Sequence, residues 1–114
     1  MFDFQIQSIG SLHVVRLVGE MGLSEAESFQ QTVGELALAE SARVAVDLSG
    51  IRWMGSSALS CLMNLVARAR LVGGRVVLVS PSPFVKDVFQ ITHLDHWFEI
   101  FPDLSTATTS LAGV

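Results

Sequence analysis

The chain opens on an alternation of apolar and polar residues. Phe2, Phe4 and Ile6 are separated by Asp3, Gln5 and Gln7, the period-two pattern of a half-buried strand, and this predicts an edge strand from Phe2 to Ile9. Gly10-Ser11 supplies a turn, and His13 to Val18 reads as a second strand. The period then changes. Ala26, Phe29, Val33, Leu36 and Ala37 recur at helical spacing, after Leu23-Ser24-Glu25-Ala26-Glu27, where Ser24 and Glu27 stand in capping-box spacing. Val44 to Leu48 is a short apolar run suited to a buried strand. Ser57 to Arg70 carries a second helical period, stopped by Gly73-Gly74, and Arg75 to Val79 is a further strand.

Toward the C-terminus, Ser82 and Pro83 predict a helix start, with Val85, Val88, Phe89 and Ile91 as its apolar residues. Trp97 to Phe101 reads as a last strand. Asp103 is placed to cap a final helix that carries Leu104 and Leu111. No linker, repeat or low-complexity stretch interrupts this order. Strands alternating with helices predict an α/β sheet with right-handed crossovers.

Length and composition narrow the picture. The 114 residues suffice for one compact domain, spanning 1–114. Half of the residues are hydrophobic and 16% are charged, so apolar surface is expected beyond what the core consumes, enough for a binding face. No apolar run approaches the roughly 18 residues of a membrane span, and Met1 to Gln5 lacks the basic and apolar regions of a signal peptide. A net charge of −4 argues against general nucleic-acid affinity. Cys61 is the single cysteine, so no internal disulfide can form. A bacterial cytoplasmic setting is expected.

The chemistry concentrates where the central apolar run meets the second helix: Asp47-Leu48-Ser49-Gly50-Ile51-Arg52-Trp53-Met54-Gly55-Ser56-Ser57. Small hydroxyl residues at a helix start cap free N–H groups. The same position suits a phosphate, because helix N-termini attract anions. Ser56 and Ser57 therefore read either as caps or as a charge switch. Along the helix, Ser57, Cys61, Asn64 and Arg68 fall in one row at 100° per residue, while Leu59, Leu62 and Val66 lie opposite and should be buried. The polar row reads as a partner surface or as an ordinary solvated face. A helix N-terminus lowers a thiol pKa, but no His or second Cys lies near Cys61 in sequence, which favours a structural role. His93 and His96 around Leu94-Asp95 lack supporting ligands for a metal and read as turn residues. Trp53 is expected to pack beneath the loop, an exposed position being the alternative that would make it an anchor. Phosphate-loop, dinucleotide and nucleophile-elbow motifs are missing, so neither an enzyme nor a cofactor is expected.

Val46-Asp-Leu-Ser-Gly-Ile-Arg-Trp-Met-Gly-Ser-Ser-Ala-Leu59 resembles the signature of STAS domains, the anti-sigma factor antagonist family, whose usual form ends a strand in Asp-Leu-Ser and then reads Met-Asp-Ser-Ser-Gly-Leu. Leu17-Val-Gly-Glu-Met21, Gly73-Gly-Arg-Val-Val-Leu-Val-Ser-Pro-Ser-Pro83 and Thr92-His-Leu-Asp-His-Trp-Phe98 resemble further family segments in the family's order. The resemblance implies a mixed sheet of four to five strands covered by about four helices. It also implies a regulatory binding domain, switched by phosphorylation at Ser56, with Ser57 as the alternative, through an anti-sigma factor that is a serine kinase. Partner contacts are then expected at Gly22, Gly55, Ser56, Ser57, Ser60, Cys61, Asn64 and Arg68. Two family acids near the switch serine are Gly22 and Gly55 here, and Ala58 replaces a family glycine. The rival readings are a constitutive STAS adaptor of a transporter ATPase or other signalling complex, and a module that senses a small ligand or lipid. Partners are expected to be proteins, a second copy of the chain included, and neither nucleic acid nor a direct membrane span is expected.

Overall fold

A computed structural model describes residues 1–39 and 41–112. Five strands form one mixed sheet in the order β1-β2-β3-β4-β5, interleaved with four α-helices. The strands are β1 (Phe2–Ile9), β2 (Leu12–Met21), β3 (Arg43–Met54), β4 (Arg75–Val79) and β5 (Ile100–Phe101). The helices are α1 (Leu23–Leu38), α2 (Ser56–Leu71), α3 (Pro83–Ile91) and α4 (Leu104–Ala112). β1 runs antiparallel to β2 through the Gly10 turn, and every other pairing is parallel. This is the four- to five-stranded α/β arrangement that the sequence predicts.

The alternation along β3 and β4 sorts the sheet into two faces. Val44, Val46 and Leu48, with Val76 and Leu78, point to a large core that also takes Phe29 and Val33 of α1, Leu62 and Leu65 of α2, and Val85 and Phe89 of α3. Ala45, Val77 and Val79 point the other way, to Ala107 and Leu111 of α4. The run Val44–Leu48 is thus covered on both sides, which is why it lacks the polar alternation of β1. No helix among the described residues is long and apolar enough to cross a membrane.

Several boundaries differ from those expected. β3 does not stop at Leu48 but continues to Met54. Its polar stretch stays in the sheet because β2 follows it, with irregular register between Arg16 and Val18 and between Gly19 and Glu20. Gly50 permits the approach, since a Cβ there would stand 2.9 Å from the Leu17 carbonyl oxygen. Helix α1 starts at Leu23, two residues before the start implied by the expected Ser24–Glu27 capping box. Its N-cap is Gly22, whose N–H donates to the Glu25 carboxylate at 2.9 Å, the half of a capping box that a residue without a side chain can make. At the end of α2, Gly73 takes φ +76° and Gly74 N–H returns to Ala69 O at 2.8 Å, a left-handed stop that disfavours any Cβ. The expected strand from Trp97 shrinks to Ile100–Phe101, because Leu94–His96 forms a 3₁₀ turn and Phe98 is buried against Phe89. Ile91 is 78% exposed at the end of α3 rather than part of its apolar face.

Leu62 and Val66 are buried as expected, but Leu59 is only half-buried. Leu62→Ala is expected to cost about 2–5 kcal/mol in chemical denaturation. Leu59→Ala should fall clearly below Leu62→Ala, and exposed Asn64→Ala should stay within about 0.5 kcal/mol. Similar losses at all three positions would contradict this packing.

Candidate functional site

The C-terminal end of β3 delivers Ser56 and Ser57 to the start of α2. Gly55, not a serine, is the N-cap: it has extended backbone, and its carbonyl accepts from Ala58 N–H at 3.1 Å and Leu59 N–H at 3.2 Å. Its own N–H donates to Met21 O at 3.0 Å, tying the link to the end of β2. Ser56 and Ser57 are the first two helical residues, and no side-chain cap bond is made. The expected hydroxyl cap is therefore absent. Ser56 is exposed and Ser57 is half-buried, which leaves the Ser56 hydroxyl accessible at the positive end of the helix dipole.

α1 and α2 pack side by side and leave an open groove of about 670 Å³ between them. Of the residues expected to contact a partner, Ser56, Ser57, Ser60, Cys61, Asn64 and Arg68 line this groove. The opposite wall comes from α1, where Leu23, Glu27, Gln30 and Gln31 face the serines. Sequence reasoning missed this wall. Its signal was the polar spacing i, i+3, i+4 of Glu27, Gln30 and Gln31 on the face of α1 away from Phe29 and Val33. Gly22 and Gly55 are not part of the groove lining and lie at its end.

Cys61 does not share the exposure of its row. It is buried at the groove floor, with Sγ 3.0 Å from Gln30 Oε1 and 3.6 Å from Ala26 O. Burial pushes its thiol up to about 11; desolvation at this depth outweighs the helix dipole. Cys61 thus joins α2 to α1, with its thiol at the floor of the groove.

Trp53 is the residue whose placement departs most from expectation. Its side chain does not pack beneath the loop; the residue is 47% exposed on the final turn of β3. The indole lies across both glycines. A Cβ at Gly55 would stand 3.2 Å from Trp53 Cη2, and one at Gly22 would stand 3.8 Å from Trp53 Cζ3. Gly55 and the exposed aromatic ring are therefore one feature: the ring occupies the space into which a side chain at 55 would project, whereas at Gly22 the Glu25 carboxylate stands nearest, 2.9 Å from a Cβ there. Glu20, paired in register with Trp53, holds Arg52 at 2.6 Å alongside. Leu23, 62% exposed, adds a second apolar residue at the mouth of the groove.

Further back on β3, Asp47 is buried, accepts from Ser49 N–H at 2.9 Å and lies 3.4 Å from Arg16 Nε. Its carboxylate anchors the start of the polar half of β3 that leads toward the serines. His93 takes a left-handed turn conformation at φ 60°, and His96 is exposed beside Asp95. Among the described residues, no three His, Cys, Asp or Glu side chains gather as a metal site.

A mixed five-stranded sheet that presents a serine pair at the N-terminus of a helix packed on its central strand defines the class of this domain. The chain belongs to the STAS domain family, whose model matches residues 3–107. An anti-sigma F factor antagonist of Lysinibacillus sphaericus is 27% identical over 85 residues, 74% of this chain and 73% of that protein. An anti-sigma factor antagonist from Mycobacterium paratuberculosis superposes with a TM-score of 0.85 at 22% identity, over 98% of this chain and 95% of that one. The anti-sigma factor antagonist SpoIIAA in its unphosphorylated form gives 0.82 at 23% identity over 98% of each chain. The Bacillus SpoIIAA in its phosphorylated form gives 0.74 at 22% identity, over 95% of this chain and 99% of that one. At these identities the solved structures are alike in fold.

Two outcomes test the site's construction. With a pKa of about 11, only about one Cys61 thiol in a thousand is ionised at pH 8. A disulfide reagent should therefore react at least about 100-fold more slowly with the native protein than with the urea-unfolded chain. The raised pKa leaves stability unaffected at lower pH and erodes it as pH rises from the unfolded thiol value toward 11, because the unfolded state ionises first. Separately, Gly55→Ala and Gly55→Asp should both displace the indole and shift Trp53 emission to the red in a Trp97→Phe background. Unchanged emission in both variants would contradict the stacking of Trp53 on this glycine.

Proposed function

We propose that the protein is a single-domain regulator of the anti-sigma factor antagonist type, which works by binding and is a phosphorylation substrate rather than a catalyst. The observation that carries this reading is the exposed Ser56 at the first position of α2, free of any cap bond and flanked by the α1–α2 groove. In its unphosphorylated form the domain docks a serine-kinase anti-sigma factor through Trp53, Leu23 and the groove end of α2. Transfer of a phosphoryl group to Ser56 then places roughly two negative charges in the contact. On the free domain that phosphate sits at a helix N-terminus, whose dipole favours it, and faces the Glu27 carboxylate across the groove, which opposes it. In the complex it must be desolvated against apolar surface, and a penalty of only about 1.4 kcal/mol already lowers affinity tenfold. The switch is thus a change of surface and not of fold. The proposed setting is a bacterial cytoplasm.

One observation favours a second reading, a constitutive adaptor in a transporter ATPase or another signalling complex. Trp53 covers the space where an acid at position 55 would project, and the Glu25 carboxylate stands where one at 22 would, so a partner that anchors on the indole does not need a further acidic cue beside the serine. Both readings place Trp53 in the contact, and only the first makes affinity depend on charge at Ser56.

Calorimetry against the purified partner separates them. Ser56→Asp should weaken binding about tenfold or more while thermal melts stay unchanged, because Asp is tolerated in a first helical turn. Trp53→Ala should weaken it about 30-fold, the loss typical of an interface anchor. Unchanged affinity in Ser56→Asp together with loss in Trp53→Ala selects the adaptor. Unchanged affinity in both removes this end of the domain from the interface.

A further inference from the structure

A second polar cavity lies at the opposite end of the parallel strands. Arg43 opens β3 and Arg75 opens β4, and the two are direct register partners. Two guanidinium groups thus emerge side by side beneath the C-terminal turn of α4. With Ser11, Ser41 and Gly73 they line a cavity of about 360 Å³.

The two arginines are not equivalent. Arg75 is neutralised: its Nη2 and Nε donate to the Glu99 carboxylate at 2.7 and 3.2 Å, with further contacts to Ser110 Oγ at 3.2 Å and Ser110 O at 3.4 Å. That bonding raises its pKa. Arg43 is half-buried and is held by neutral acceptors, Nη1 to Leu111 O at 2.9 Å and Nη2 to Ser11 Oγ at 2.8 Å. It makes no ion pair among the described residues. A guanidinium carries five N–H donors, so among the described residues Arg43 retains donors and an uncompensated charge beside the cavity. Such a charge, fixed in place and partly withdrawn from water, favours an oxyanion that matches its planar fork.

The walls are shaped for an occupant. Ser41 holds a left-handed backbone at φ 59°, a conformation sparsely populated by residues other than glycine and found disproportionately at binding sites. Gly73 faces it at φ 76°, and a Cβ there would close to 3.8 Å on Ser41 Oγ. Two hydroxyl groups, of Ser11 and Ser41, stand beside the two guanidinium groups.

We propose that this cavity binds phosphate or a phosphomonoester, with Arg43 as the principal ligand and Ser11 and Ser41 as hydroxyl donors. It lies at the far end of β3 from Ser56, so it does not depend on the function proposed for the serine. The shared chemistry is a tetrahedral oxyanion, whether free, on a soluble ester, or in a phosphatidic acid headgroup.

The test is titration of the full chain with inorganic phosphate, followed by amide NMR at constant ionic strength, with chloride as control. Saturable shifts are expected at Ser11, Ser41, Arg43 and Gly73, with a Kd on the order of 1 mM. Arg43→Gln should weaken binding at least about tenfold, and Arg43→Lys, which keeps charge but loses the fork, should fall between. If Arg43→Gln loses spectral dispersion, Ser11→Ala carries the test and should weaken binding about threefold. Equal response to glycerol phosphate without sedimentation on phosphatidic acid vesicles identifies a soluble ester. Sedimentation on those vesicles but not on phosphatidylcholine, lost in the Arg43 variant, identifies a headgroup. No saturable shift, shifts reproduced by chloride, shifts centred on Ser56 and Ser57, or binding unaffected in the variants would each overturn the proposal.

Discussion

The burial of β3 on both faces is the constraint from which the rest follows. Val44, Val46 and Leu48 are locked under α1, α2 and α3, and Ala45 is locked under α4. A strand so confined cannot shift register without moving every side chain to the wrong face. It therefore fixes both of its ends. At one end it aims the link Trp53-Met54-Gly55 and starts α2 at Ser56. At the other it sets Arg43 beside Arg75. The domain thus has a rigid axis with polar chemistry at each pole.

The serine end is built so that the surface can change without the core responding. Gly55 closes the first turn of α2 through its backbone, so neither serine hydroxyl is needed for the helix to begin. Cys61 and Gln30 link the two helices below the groove, and the high thiol pKa keeps that link uncharged at neutral pH. What varies is outside: an indole resting on two glycines, an exposed leucine, and a hydroxyl at a helix N-terminus. A phosphate added there meets a favourable helix dipole and no structural bond to break.

Much of this was legible in the sequence, for identifiable reasons. Patterns governed by burial are legible: β1 from its alternation, Val44–Leu48 from its continuous apolar run, and α2 from the period of Leu62 and Val66 against Asn64 and Arg68. Features set by a neighbouring strand or helix are not. The polar half of β3 looks like a turn until β2 is seen to follow it through irregular pairing. Cys61 shares a helical row with exposed residues, yet α1 covers it, because the row is tangent to the α1 contact rather than opposite it. Two consecutive serines suggested a hydroxyl cap, but Gly55 lies one residue earlier and takes the cap with its backbone. Trp53 was read as packed, since a tryptophan usually is. The absence of side chains at Gly22 and Gly55 gives the ring a surface to rest on while half of it faces solvent.

Charge at Ser56 is proposed to alter a local surface on a rigid domain. Incorporating phosphoserine at position 56 and comparing amide chemical shifts with the unmodified protein tests it most directly. Changes are expected to be confined to residues 22–23 and 53–60 and the facing turn of α1, with Val44–Leu48 and Val76–Val79 unmoved. Shifts spread through those central strands would contradict it, and would mean that phosphorylation acts by rearranging the fold.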